Sequence, residues 1–383
     1  MAEDKAYLYW LHKMPEVGER TMEALIKKLG CGAAVYEASE KQLRTILSEK
    51  QFTSFREFTA SFSVEENYRQ LREKGIGMVS RFEEAYPRRL KRIQNPPILL
   101  YYLGTLPKEE KTALAIVGAR ECSDYGSSMA KAFGAQMAKA GICVISGMAR
   151  GIDGISQKAA LEAGGDTYGV LGCGVDVCYP ASNRRLYLEM QKRGGILSPY
   201  PPGTQPRKVL FPSRNRIVAG LSDGVLVVEA RQKSGTWITV DMALEQGKDV
   251  YAVPGRLTDR LSDGCNLLIR QGAGIALTPE DVIRELSLLK NRGGKEAVSE
   301  RISRQEERCW ERETVRPAGL LRFLDLTPKS SDEIFGNVKA AGIDITLPQL
   351  LFELIQLCMA GKAGQIGGNY FVRKMNEESK MKA

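Results

Sequence analysis

The sequence predicts an α/β protein built on a Rossmann-like, doubly wound and mostly parallel sheet. Three observations carry that expectation. Short apolar runs rich in β-branched residues recur at 114–117, 142–145, 167–171, 225–228, 250–253 and 275–277. Segments with helical spacing lie between them, at 127–140, 155–163, 184–192, 215–221 and 238–246. Small, glycine-rich turns follow the first runs. Strands that are apolar throughout are buried on both faces, and strands alternating with helices pair in parallel.

The flanking segments follow in chain order. Residues 1–75 read as a helical domain, with apolar residues at helical spacing over 6–28 interrupted by Met14-Pro15-Glu16-Val17-Gly18. This turn resembles that of a helix-hairpin-helix, which offers backbone amides to phosphate; an ordinary helix connection has the same look. Residues 78–110 read as a connecting segment broken by prolines, and 98–103 as a strand that enters the next domain. The Rossmann-like domain is expected over 76–288. The stretch 290–316 is dense in charge and contains Gly293-Gly294, so 289–316 reads as a linker. A small domain follows over 317–383, with helices at 320–324, 331–335 and 347–359 and a hairpin over 363–372. Three helices and a hairpin make a winged-helix-like pattern.

Composition narrows the function classes. Of 383 residues, 43% are hydrophobic and 26% charged, as in ordinary globular proteins. No run of about 18 uncharged apolar residues occurs, so no membrane association is expected. The first residues lack the features of a signal peptide, and a cytoplasmic location is expected. Cys31, Cys122, Cys143, Cys173, Cys178, Cys265, Cys309 and Cys358 form no CxxC pair, and His12 is the single histidine. Reduced thiols and no metal site or cofactor are the expectation. The net charge of +9 favours a polyanionic partner.

In an open parallel sheet, ligands bind beyond the carboxyl ends of the strands. The turns there supply Gly118, Arg120 and Ser123, then Gly147, Arg150 and Gly151, then Gly172 and Gly174, and finally Ser234, Gly235 and Thr236. Each turn is small and opens a helix, where free backbone amides attract anions. Four in series suit a ligand with several phosphates. A P-loop is absent, because no GxxxxGK[ST] occurs, and Gly172-x-Gly174 lacks the third glycine of a dinucleotide turn. The basic stretch Arg207–Arg216 contains Lys208, Phe211, Arg214, Asn215 and Arg216 and is expected just before a helix. Cations for phosphates beside a ring for a base are the means by which single strands are held. The alternative is that Phe211 packs in the core and the cations face water.

Taken together, Val117-Gly118-Ala119-Arg120, Ser146–Asp153, Gly172–Asp176, Phe211–Arg216, Ser234-Gly235-Thr236 and Val253-Pro254-Gly255 resemble the DNA-processing protein A family (DprA, also called Smf). The resemblance fits residues 80–285 throughout and extends to both flanking domains. It implies binding and protection of single-stranded DNA, and loading of the RecA recombinase past single-strand-binding protein, during natural transformation or recombination. It places the family's phosphate-contacting arginine on Arg120, and its lysine and stacking phenylalanine on Lys208 and Phe211. It places a homodimer contact around Leu267, Leu268 and Ile275. Two positions depart from the family: Gln157 stands where a histidine is usual, and Ser198-Pro199 where Ser-Glu is usual.

The expected function is therefore non-catalytic. One rival is a nucleotide-monophosphate hydrolase on the same sheet, using Glu229 or Glu245 near Ser234-Gly235-Thr236. Glu229 has a quieter expected role, accepting hydrogen bonds from that turn. A second rival is a DNA-binder led by the winged helix, weakened by the few cations of 347–359.

Overall fold

The computed structural model describes residues 2–288, 317–325, 327–343, 345–359, 362–366 and 370–373. The expected linker, Cys309 and the centre of the expected hairpin lie outside the described residues. The chain divides into two compact units, Met1–Arg292 and Gly293–Ala383.

The first unit opens with six helices: α1 (Ala2–Lys13), α2 (Glu19–Leu29), α3 (Gly32–Tyr36), α4 (Glu40–Leu43), α5 (Glu49–Ser61) and α6 (Val64–Glu73). Capping boxes at Ser39/Gln42 and Ser48/Gln51 start α4 and α5. Two antiparallel strands follow, β1 (Gly77–Ser80) and β2 (Leu99–Gly104), with α7 (Arg88–Lys91) between them. The doubly wound part then runs β3 (Ala113–Gly118), α8 (Asp124–Lys139), β4 (Cys143–Ser146), α9 (Ile152–Glu162), β5 (Thr167–Val170), α10 (Arg184–Met190) and β6 (Gly194–Ser198). It returns through α11 (Leu210–Gly220), β7 (Gly224–Val228), α12 (Thr236–Glu245), β8 (Asp249–Ala252), α13 (Asp263–Arg270) and β9 (Gly274–Ile275). A helix over residues 279–288, α14, ends the described part of this unit.

The nine strands lie in the order β1-β2-β6-β5-β4-β3-β7-β8-β9. From β3 to β6 the chain winds one way; it then crosses back to lay β7 against the free side of β3, with Gly118 opposite Val228. The switch point is therefore at β3, between β4 and β7. Alternate residues of β3 serve the two cores. Ala113, Ala115 and Val117 pack with Ile217, Val218 and Val240 from α11 and α12, while Leu114 and Ile116 pack with Ala130, Phe133 and Met137 from α8.

Four sequence expectations need correction. The start of the segment 78–110, expected as a connection, belongs to β1, which pairs with β2, the strand expected over 98–103. Strand β6 escaped notice because Gly194-Gly195 and Ser198 leave it only two large apolar residues. The helices of 1–75, expected as a separate domain, share one core with the sheet, in which Trp10, Leu25 and Phe52 pack together with Tyr101, Leu186 and Ile196. Helix α11 starts at Leu210, five residues before its expected start, so most of the basic stretch is helical.

In the second unit, residues Pro317–Phe323 form a 3-10 helix that overlaps the helix expected at 320–324 and starts three residues before it. It is followed by β10 (Lys329–Ser330), α15 (Ser331–Ala340), α16 (Leu347–Met359), β11 (Ala363–Ile366) and β12 (Tyr370–Arg373). The three strands form one sheet in the order β10-β12-β11. Its core holds Leu320, Ile334, Leu350, Leu354 and Phe371.

Candidate functional site

The switch point opens into a cleft of about 530 Å³. Its floor is the carboxyl ends of β3 and β4, with Gly118 and Gly147, and its walls are the first turns of α11 and α12. Arg120, Lys208, Phe211, Arg214, Asn215, Ser234, Gly235 and Thr236 all line it. A small annex adds Arg150 and Gly172. Most of the expected contact residues, from four separate turns, therefore meet at one place.

Phe211 is half-buried, and its ring faces the cleft rather than the core. It packs against the turn after β5, where a Cβ on Gly172 would stand 2.6 Å from its Cδ1. Only glycine permits that approach. Tyr179 lies beside it, with ring centroids 5.6 Å apart and planes tilted by 33°. The Arg120 guanidinium stands 5.8 Å from the Phe211 centroid. Tyr179 is 44% exposed and was missed as a contact residue. Its signal was available, since Tyr179-Pro180 follows the Gly172–Asp176 turn at the same sheet edge.

The N-termini of α11 and α12 meet the cleft without a side-chain cap. Leu210 N and Trp237 N already donate to the Arg207 and Ser234 carbonyls, at 3.0 and 3.2 Å, and Pro212 has no N–H. The two helix dipoles still point their positive ends at the cleft. Ser234 Oγ is buried without a hydrogen-bond partner. Arg120 and Lys208 of the cleft and Arg150 of the annex are exposed, as is Arg207, next to Lys208 in the chain.

Arg214 has a different role from the one expected. It is 4% exposed and donates to the carbonyls of Gly147, at 2.7 Å, and Val170. Its Nε donates to Asn215 Oδ1 at 3.2 Å. Asp153 nearby accepts from the amides of Gly147 and Ala149, at 3.1 and 3.4 Å. Burial pushes the Asp153 carboxyl up, against the pull of Arg214, and burial pushes Arg214 down. Arg214 pins the ends of β4 and β5 to α11 and gives the cleft its shape.

Four expected site residues stand outside the cleft lining. Ser123 caps α8, accepting from Gly126 N at 3.2 Å. Gly151, at φ 74°, packs under the loop after β3, where a Cβ would be 2.2 Å from the Ala119 carbonyl. Gly174 donates its amide to Thr204 at 2.9 Å. Arg216 points away, bonding the Asn95 carbonyl and pairing with Glu19 at 3.2 Å.

Other expectations resolve similarly. Glu229 is buried in a left-handed conformation at φ 54°, and its carboxylate accepts from Ser123 N, at 2.8 Å, and from Ser123 Oγ. It braces α8 rather than the Ser234 turn. Glu245 is at the far end of α12. Gln157, at the family's histidine position, is fully buried and donates to the Tyr168 carbonyl at 3.0 Å. Ser198 Oγ donates to the Cys173 carbonyl at 2.6 Å. The Met14–Gly18 turn is bound from α5, with Gln51 donating to Glu16 O and Ser54 to Pro15 O. The carboxylate of Glu19 stands in the first turn of α2. Leu268 is 4% exposed and belongs to the core, Leu267 is half-buried, and Ile275 is 52% exposed.

Fold and cleft together define a doubly wound α/β protein whose sheet edge suits a phosphate-bearing, base-bearing ligand. The family described as DNA recombination-mediator protein A matches residues 77–287, and the chain belongs to that family. It is 44% identical over 204 residues to DNA processing protein DprA of Streptococcus pneumoniae, covering 53% of this chain and 72% of that one. It is 32% identical over 329 residues to Protein Smf of Escherichia coli, covering 85% of each. The X-ray structure of the S. pneumoniae protein superposes with a TM-score of 0.65 at 34% identity, covering 73% of this chain and 97% of that one. DNA processing protein A from Helicobacter pylori, whose structure is described by its single-stranded DNA binding mode, matches with a TM-score of 0.50 at 30% identity. That match covers 56% of this chain and 96% of the other. No helix among the described residues is long and apolar enough to cross a membrane.

Proposed function

We propose that the protein binds single-stranded DNA in the cleft at the switch point and presents it, without covalent chemistry, to a recombinase of the RecA type. The observation that carries this reading is the Phe211–Tyr179 ring pair flanked by Arg120 and Lys208 at two helix N-termini that no side chain caps. Rings accept any base and cations hold the backbone, so binding is sequence-tolerant. The H. pylori relative, described as binding single-stranded DNA, supports the same ligand here.

In this reading the protein works in the cytoplasm as a homodimer, protects the strand, and lets RecA assemble where single-strand-binding protein would block it. The winged-helix-like unit is not the DNA reader, because α16 carries no lysine or arginine. The hydrolase rival is weakened by Glu229, whose carboxylate is engaged by Ser123, and by Glu245, one helix length away.

The test is binding of single- and double-stranded oligonucleotides across a salt series. Single strands should bind more tightly, with a slope of log affinity against log salt of about −3 to −4 for roughly four to six phosphates. Equal affinity for duplex of the same length sinks the reading. Turnover of nucleotide monophosphates that Glu229→Gln abolishes would promote the hydrolase.

A further inference from the structure

The loops after β7 and β8 extend the same sheet edge beyond the cleft. The loop after β7 is shared: Ser234 and Gly235 line the cleft, whereas Arg231 and Lys233, earlier in the loop, are exposed outside it. The loop after β8 carries Arg256 and Arg260, both exposed, on either side of Leu257, which is 92% exposed. None of these four cations forms an ion pair among the described residues. Nearby carboxylates are otherwise placed: Asp263 accepts from Gln232 N at 2.9 Å, and Asp259 is exposed to solvent.

Both loops are braced, so their cations project from fixed bases. Trp237 Nε1 donates to the Arg231 carbonyl at 3.0 Å. Gly264 N donates to the Ala230 carbonyl at 2.8 Å, tying the start of α13 to the end of β7. Asn266 clamps Gly255 through both its amide and its carbonyl, at 3.2 and 3.1 Å. Tyr125 Oη donates to the Pro254 carbonyl at 2.8 Å. Neighbouring strands are about 4.8 Å apart, so the end of β8 lies about 10 Å along the edge from the end of β3.

We propose that Arg231, Lys233, Arg256 and Arg260 form a second segment of the strand's path, so that DNA leaving the cleft at Ser234–Gly235 runs across the ends of β7 and β8. The proposal rests on the single-stranded DNA reading of the cleft and adds a direction and a length to it. Four unpaired cations neutralise successive phosphates, and the apolar tip at Leu257 offers an unstacked base a dry contact. Continuity through the shared loop favours the same strand over a separate acidic protein.

The test compares oligothymidylates of about six and about 24 nucleotides on wild type and on Arg231→Gln/Lys233→Gln/Arg256→Gln/Arg260→Gln, by fluorescence anisotropy across a salt series. The double variant Arg256→Gln/Arg260→Gln, confined to an exposed loop tip, is measured alongside in case the quadruple variant folds poorly. The short oligonucleotide should bind wild type and variants within about twofold. The long one should bind the quadruple variant roughly tenfold more weakly, with a salt slope shallower by up to about 3, at about 0.7 per cation. Unchanged binding of the long strand, or equal weakening of both lengths, overturns the proposal. A wild-type protein that binds neither length overturns the cleft reading beneath it, which is a separate result.

Discussion

Neighbouring residues of one basic stretch have opposite fates, and the contrast is testable. Phe211 is half-buried with its ring on the cleft, so Phe211→Ala should cost about 1–3 kcal/mol of single-strand affinity and leave the melting temperature nearly unchanged. A large drop in melting temperature with intact affinity would make it a core residue after all. Arg214 is buried and satisfies the Gly147 and Val170 carbonyls. Arg214→Ala should therefore cost about 3–5 kcal/mol of stability, because buried acceptors and the nearby Asp153 lose their partner. Thermal or urea unfolding checks this; an unaltered midpoint would restore Arg214 as a surface contact. The cation itself was legible in the sequence. Its burial was not, because the stretch was expected just before a helix rather than inside one. In a helix, Phe211, Arg214 and Asn215 fall on one face and Arg216 on another.

At the scale of elements, the informative piece is the edge beside β9. A cleft of about 640 Å³ there is lined in part by Leu244, Ile275, Leu277 and Leu288, all of them about half exposed or more. Strand β9 is only two residues long and, among the described residues, pairs with β8 alone, which leaves its outer side as the sheet edge there. Under the homodimer proposal this edge is the contact. Ile275→Arg should give a folded monomer by light scattering; an unchanged dimer would move the interface elsewhere. Leu268, by contrast, packs in the core under α13, and Leu268→Ala should cost about 2–5 kcal/mol instead. The family resemblance pointed to both positions, but only the faces of α13 and β9 separate them.

For the molecule as a whole, the notable feature is how the N-terminal helices dock on the sheet. His12 of α1 stacks parallel to the Tyr101 ring of β2, with Nδ1 2.9 Å from the tyrosine hydroxyl. Burial pushes the imidazole down from 6.5 to about 4. The folded protein thus keeps His12 neutral where the unfolded chain would protonate it. The contribution is complete above about pH 6.5 and is lost as pH falls from there toward 4. Melting temperature followed from neutral pH to about pH 4.5 should fall more steeply for wild type than for His12→Gln. Parallel slopes would show that His12 does not carry this dependence.

The sequence by itself determined the fold class, because unbroken β-branched runs between helical segments admit few architectures other than a doubly wound sheet. It also determined the row of small turns and the pairing of Arg120, Lys208 and Phe211 as contact candidates, since those are local properties of residue type and spacing. It left β1 and β6 hidden, because short or glycine-rich strands are stabilised by their neighbours more than by their own composition. The tertiary structure alone decided which side chains face the cleft. It turned Arg214 inward and Arg216 toward Glu19, set Tyr179 beside Phe211 from a distant turn, and gave Glu229 to Ser123. The physical reason is common to all four. Each outcome depends on which carbonyl, ring or carboxylate another segment brings within hydrogen-bond or stacking distance, and that is fixed by the crossing order of the strands rather than by the residue's own neighbours in the chain.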